Sequence, residues 1–135
     1  MIEGIHHIGI AVRSVEVALA RYRALGLISS SVEEVPAEGV RVAFLRSGTT
    51  RIELLESLHA DGVIARFVEK RGEGVHHIAF ATKDVVAEMA RLGEQGFELV
   101  DRAPRTGAHG RKVAFIHPRS AHGVLLELVE EQGAP

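Results

Sequence analysis

Two doubled histidines are the residues in this chain with the clearest chemical potential. His6 and His7 lie in "GIHHIGIAV", starting at Gly4, and His76 and His77 lie in "GVHHIAFAT", starting at Gly74. Each pair enters an apolar run with the composition of a strand. Two acidic residues share a matching setting: Glu53 in "RIELLE" (51–56) and Glu127 in "GVLLELVE" (123–130). A carboxylate among Ile and Leu on a central strand is costly to bury unless it is paired or bound to a cation. Two imidazoles and two carboxylates make a nitrogen–oxygen donor set that suits a divalent first-row ion with open water positions. The chain has no Cys, so disulfides and thiolate metal sites are both excluded.

Strand alternation selects among the histidines, because residues two apart share a face. His6, Ile8, Ile10 and Val12 fall on one face, and His7, Gly9 and Ala11 on the other. The bulky set should pack on a helix, while the small set leaves room for one imidazole. In the second stretch Ile78 and Phe80 share a face, opposite His77, Ala79 and Ala81. His7 and His77 are therefore expected to face the site, with His6 and His76 in structural or supporting places. Taken singly, a histidine at a strand start is usually structural, and a lone strand glutamate usually faces solvent. Matching positions in a repeat favour a shared role instead. His59, His109, His117 and His122 fall in loops or at strand ends, where solvent or substrate contact is expected.

The elements that must position these residues repeat as well. After each histidine strand comes an amphipathic segment, "SVEVALARYRALG" and then "DVVAEMARLGEQG". Each opens on a potential N-cap, Ser14 or Asp84, and closes on a glycine, Gly26 or Gly96, suited to a helix end. Strand-like runs follow: "VRVAFL" (40–45) and "RIELLE" in the first copy, "RKVAFI" (111–116) and "GVLLELVE" in the second. "LISSSVEEV" and "FELVDRAP" are expected to supply the strand after each helix. Each copy thus reads as strand–helix–strand–strand–strand, with one sheet face left bare. The expected fold is α+β: two pseudo-symmetric βαβββ modules forming a curved, cupped eight-stranded sheet around a metal site. Residues 1–135 are expected to make one domain, with module 1 at about 4–56, a linking helix at about 57–72 and module 2 at about 74–130.

Composition narrows the function classes. The chain has 135 residues, is 46% hydrophobic and carries a formal net charge of -2. That length and apolar content support a real core. Aromatic residues make up 4% and Trp is absent; with the near-neutral charge, this argues against a nucleic-acid partner. No apolar run approaches the roughly 20 residues that span a bilayer, so no membrane partner is expected. The N-terminal stretch has neither a basic region nor a cleavage site, and a cytoplasmic location is expected.

The repeated "HHIGIAV" and "HHIAFAT" units resemble the vicinal oxygen chelate superfamily. Within it, "EGVRVAFL", "IELLE", "GEGVHHIAF", "GAHGRKVAFIHPRS" and "GVLLELVE" resemble the methylmalonyl-CoA epimerase family, across about residues 4–130. The "HPRS" turn before "GVLLEL" is the most particular of these motifs. The resemblance implies metal ligands at His7, Glu53, His77 and Glu127. It also implies a divalent ion, cobalt first, with manganese, nickel, zinc or magnesium as other candidates, and a homodimer. In one respect the chain departs from the family. Some epimerases have Gln at the position of Glu53 and a separate Glu on the preceding strand, where this chain has Val42. A base on that strand does not carry over, and Glu38 in the loop before it is expected to be solvated.

The implied reaction interconverts (R)- and (S)-methylmalonyl-CoA by α-proton abstraction and reprotonation through a metal-stabilised enolate. Inverting a stereocentre needs an acid/base on each side, and Glu127 and Glu53 are the catalytic candidates. The acyl-CoA substrate should bring its phosphates near Arg or Lys, and the basic, Gly-rich "RTGAHGRK" stretch (105–112) suits a lip over the site. The alternatives are a glyoxalase I-like lyase acting on a glutathione hemithioacetal, or a non-enzymatic small-molecule binder. The "HPRS…GVLLEL" segment favours the epimerase over the lyase, and the filled ligand set argues against the binder. An extradiol dioxygenase would leave Glu53 without a role.

Overall fold

A computed structural model of the protein describes residues 1–131. The first copy of the repeat contains β1 (Ile2–Ala11), α1 (Val15–Arg23), β2 (Ile28–Ser29), β3 (Glu33–Val35), β4 (Val40–Ser47) and β5 (Thr50–Ser57). Helix α2 (Val63–Arg71) links it to β6 (Gly74–Thr82), α3 (Val85–Glu94), β7 (Arg105–Thr106), β8 (Lys112–Ile116) and β9 (Leu126–Glu130). Among the described residues no helix is long and apolar enough to cross a membrane.

The chain forms two compact units: His7–His76 is one, and Met1–His6 with the described residues from His77 on is the other. Both boundaries fall inside a histidine doublet. In the His7–His76 unit, β1 runs parallel to β5, β5 pairs antiparallel with β4, and β2 and β3 both pair with β4. In the other unit β6 runs parallel to β9, β9 pairs antiparallel with β8, and β8 with β7. The same strand order is built twice.

Each helix forms where its ends are satisfied. Ser14 Oγ accepts the Val17 N–H at 3.3 Å, and Asp84 Oδ1 accepts the Ala87 N–H at 3.0 Å. These side chains take up donors that the first helical turn leaves without partners. A carboxylate from the last strand of the same copy joins each cap. Glu56 Oε1 accepts the Val15 N–H at 2.9 Å, and Glu130 Oε2 accepts the Val85 N–H at 3.1 Å. Negative charge there also suits the positive end of the helix dipole. Gly26 and Gly96 both take φ of 93°, the left-handed conformation in which glycine escapes the Cβ penalty.

Apolar side chains seal each helix to one sheet face. Val15 and Leu19 pack with Val12, Ala43, Leu45 and Leu54; Ile10 and Ile52 join them. In the second copy Val85 and Leu92 pack with Ala114, Ile116 and Leu128. The bulky residues of the alternating strands are the ones against the helices, which leaves His7 and His77 on the opposite faces.

The strand expected after each helix is shorter than the sequence suggests. In the first copy it is split into β2 and β3. In the second, "FELVDRAP" contributes only an isolated bridge, Leu99 to Ile116, and β7 lies just beyond it. Both breaks have one cause. Ser30 N–H donates to the Phe44 carbonyl at 2.7 Å, but the Phe44 N–H goes to Ser30 Oγ at 3.0 Å. Likewise Val100 N–H reaches the Phe115 carbonyl at 2.8 Å, while the Phe115 N–H goes to Asp101 Oδ2 at 2.8 Å. A side-chain acceptor replaces the ladder bond and the strand stops. Pro104 has no N–H with which to resume the ladder.

Glu88 on α3 supplies a test of this packing. It is 2% exposed, and both its oxygens accept from Arg91, at 2.9 and 2.7 Å. Those bonds hold its carboxyl below the usual carboxylate range, against the opposing effect of burial. A lowered folded-state value means the stabilisation is complete above the unfolded carboxyl pKa of about 4.3 and is lost as pH falls through the folded value. Glu88→Gln should therefore cost roughly 1–3 kcal/mol at neutral pH and flatten the decline of Tm on acidification. Thermal melts between neutral pH and pH 3 check both effects.

Candidate active site

The register of the strands dictates the geometry of the site residues. Gly9 and Phe44 are the Cα partners of Glu53 on its two sides, and Ala79 and Phe115 are those of Glu127. Directly opposite residues share a face, so each glutamate has a small residue on one side and a phenylalanine on the other. His7 and His77 lie two residues before Gly9 and Ala79, on that same face. The small residues leave room for the imidazoles to lean toward the carboxylates. His7 Nε2 lies 3.2 Å from Glu53 Oε1, and His77 Nε2 lies 3.0 Å from Glu127 Oε1. The phenylalanines present their rings edge-on to the imidazoles, with centroids 5.4 Å apart for His7–Phe44 and 6.0 Å for His77–Phe115.

All four polar residues are buried, with exposures of 3% for His7, 5% for Glu53, 2% for His77 and 5% for Glu127. A nitrogen and an oxygen at these separations, both able to act as lone-pair donors, need a proton or a cation between them. With a proton on Nε2 the pair is a hydrogen bond. With a cation, both atoms become ligands, and binding displaces that proton. His7, Glu53, His77 and Glu127 form a group of buried residues that could hold a metal ion.

The remaining histidines have other surroundings. His6 Nε2 lies 3.3 Å from Arg111 Nη1 and 3.4 Å from Glu131 Oε2. The ring of His76 meets Phe67 edge-on at 4.9 Å. His117 Nδ1 accepts the Arg119 N–H at 3.0 Å and so caps the 3-10 turn Pro118–Ala121. His122 follows in the left-handed conformation at φ 56°. The "HPRS" motif is a clamp on residue 98. Arg119 forks onto both Glu98 oxygens, at 3.2 and 3.0 Å, Ser120 Oγ accepts the Glu98 N–H, and the His117 N–H donates to the Glu98 carbonyl. The Arg119 guanidinium holds the Glu98 carboxyl below its ordinary range. His59 lends its carbonyl to Ser57 Oγ at 2.7 Å. His109 sits in the turn Ala108–Gly110 at φ 59°.

Glu38 ends the 3-10 turn Pro36–Glu38 before β4. Val42 is 1% exposed, and its Cα partner on β3 is Glu33, a half-buried residue. A carboxylate therefore reaches this face from the neighbouring strand, one step further from Glu53 than Val42 is. Sequence reasoning passed over Glu33, the ring pair Phe44 and Phe115, and the capping pair Glu56 and Glu130. The repeat carried a signal for the last two pairs: "VAF" occurs in both copies, and each capping glutamate stands three residues after a site glutamate.

Residues 6–115 match the Glyoxalase/Bleomycin resistance protein/Dioxygenase superfamily. An uncharacterized protein of Bacillus subtilis (strain 168), YqjC, is 45% identical over 128 residues, 94% of this chain and 91% of that protein. The ethylmalonyl-CoA/methylmalonyl-CoA epimerase of Cereibacter sphaeroides is 40% identical over 131 residues, 95% of this chain and 98% of its own. A solved methylmalonyl-CoA epimerase in complex with methylmalonyl-CoA and NH4+ superposes with a TM-score of 0.91 at 38% identity, over 96% of this chain and 94% of that one. The α+β architecture of paired βαβββ modules is that of the vicinal oxygen chelate fold, and the chain belongs to the glyoxalase/bleomycin resistance protein/dioxygenase superfamily, within its methylmalonyl-CoA epimerase family.

Proposed function

We propose that the protein interconverts (R)- and (S)-methylmalonyl-CoA by moving the α-proton off one face and back onto the other. The observation that carries this reading is the pair of buried His–Glu contacts at equivalent places in the two copies, at 3.2 and 3.0 Å. The complex of the related epimerase with methylmalonyl-CoA supplies the substrate class.

In this reading His7, Glu53, His77 and Glu127 hold one divalent ion. The donor set fits such an ion: two imidazole nitrogens and two carboxylates, all buried and without any thiolate. A bound divalent ion would supply Lewis-acid stabilisation of negative charge on the substrate oxygens. Cobalt is the first candidate. Glu127 and Glu53 act as the proton carriers, one from each copy, at the substrate α-carbon. Phe44 and Phe115 limit the water around each carboxylate. The protein acts as a homodimer in the cytoplasm, and light scattering of the purified protein should give twice the chain mass of 14.6 kDa. A monomer at micromolar concentration would count against the dimer.

Metal analysis tests the ligand set. Purified protein should carry one divalent ion per chain, with donor distances of about 2.0–2.2 Å by X-ray absorption. His77→Ala should lose the ion, whereas His6→Ala should retain it. An ion lost with His6 but kept without His77 would refute the assignment.

Proton transfer is followed by NMR of methylmalonyl-CoA in deuterated water. Glu127→Gln should keep the fold yet lower turnover by about 10²-fold or more. Glu53→Gln should stop epimerisation but still exchange the α-proton of one epimer with deuterium through Glu127. Val42→Glu in that background should restore part of the activity. Full epimerase activity in Glu53→Gln would reduce Glu53 to a ligand and make Glu33 the next carboxylate to replace.

A further inference from the structure

The two copies repeat the histidine, glutamate and phenylalanine of the site, but they do not repeat the charge beside them. Arg105 on β7 is the Cα partner of Val113, and Glu33 on β3 is the partner of Val42. Val42 and Val113 each stand two residues before the site phenylalanine, Phe44 or Phe115. The equivalent position on the site face thus carries an acid in one copy and a base in the other.

Arg105 is held in place by neighbours that also build the site. Its guanidinium carbon lies 5.2 Å from the centre of the Phe115 ring, a cation–π distance, and the edge of that ring faces His77. Asp101 fixes the other side. Its Oδ1 accepts from Arg105 Nε at 2.8 Å and from Nη2, while its Oδ2 is taken by the Phe115 N–H. Asp101 therefore gives Arg105 a single oxygen and does not complete the two-oxygen fork of a full carboxylate–guanidinium pair. Among the described residues Asp101 is the hydrogen-bond partner of the Arg105 guanidinium, through Nε and Nη2, which leaves the Nη1 protons to offer. The Arg105 side chain is 36% exposed, against 11% for Asp101, so the anchor is covered while the guanidinium is half-open. A planar donor locked on a ring and a largely covered carboxylate loses little further freedom when it binds an anion.

We infer that Arg105 is a substrate-binding residue that takes an anionic oxygen group of the acyl-CoA, either the acyl carboxylate or a phosphate of coenzyme A. The inference rests on the acyl-CoA reading above and deepens it. A ligand with different groups at its two ends needs different charges in the two otherwise equivalent copies, and Arg105 against Glu33 is that difference.

Calorimetric binding of methylmalonyl-CoA, propionyl-CoA and coenzyme A to the wild type and to Arg105→Gln tests this through affinity, with no rate measured. If Arg105 takes the carboxylate, Arg105→Gln weakens methylmalonyl-CoA by about tenfold or more and leaves the other two ligands unchanged. If it takes a phosphate, all three weaken by a similar factor. Affinities all within twofold of wild type overturn the proposal, as does a wild type that binds none of the three. Circular dichroism confirms that the variant folds. Should it not fold, Arg105→Lys decides: loss of the planar donor should weaken the same ligands severalfold, and unchanged affinity overturns the proposal. A wild type that binds methylmalonyl-CoA but does not epimerise it would refute the proposed reaction and leave this comparison standing.

Discussion

A carboxylate buried beside an imidazole inside a sheet is the constraint around which each copy of this fold is arranged. Neither group is tolerated in an apolar interior alone, and each is the other's partner. Their meeting requires a parallel pairing of first and last strands at a fixed offset, with a small residue level with the carboxylate. Gly9 and Ala79 meet that requirement, at the Cα partners of Glu53 and Glu127.

The helices answer a second demand of the same strands. A strand that presents polar groups on one face still has an apolar set on the other, and α1 and α3 cover it. The middle strands then contribute to both sides. Ala43, Leu45, Ala114 and Ile116 join the helix cores, while Phe44 and Phe115 wall the imidazoles. The backbone of those phenylalanines is gripped by Ser30 and Asp101, so the irregular outer strands serve the rings next to the histidines.

Much of this was legible because alternation and repetition are discrete signals. The period of two separated His7 from His6 and His77 from His76, and the caps at Ser14 and Asp84 stood where the helical period began. The joint significance of the four site residues came from their equivalence in the repeat. What was not legible depends on side chains that bond to distant backbone. Nothing periodic marks Ser30 or Asp101 as acceptors for a phenylalanine N–H, so the strands they interrupt were expected to run on. The "HPRS" motif was visible, but its clamp on Glu98 spans 21 residues between Arg119 and Glu98 and leaves no local trace. Arg105 was one basic residue among 16 Lys and Arg, distinguishable only once its ring and carboxylate were in place.

The three-residue spacing between each site glutamate and the capping glutamate that follows it has a consequence for assembly of the sheet. Three is odd, so on one strand the two carboxylates leave from opposite faces: Glu53 toward an imidazole and Glu56 toward a helix start, as Glu127 and Glu130 do in the second copy. A slip of one residue would invert both assignments together. The site acid would meet the apolar underside of the helix, and the capping acid would swing away from the unpaired helical N–H groups. Mispairing is thus penalised twice, once on each side of the sheet.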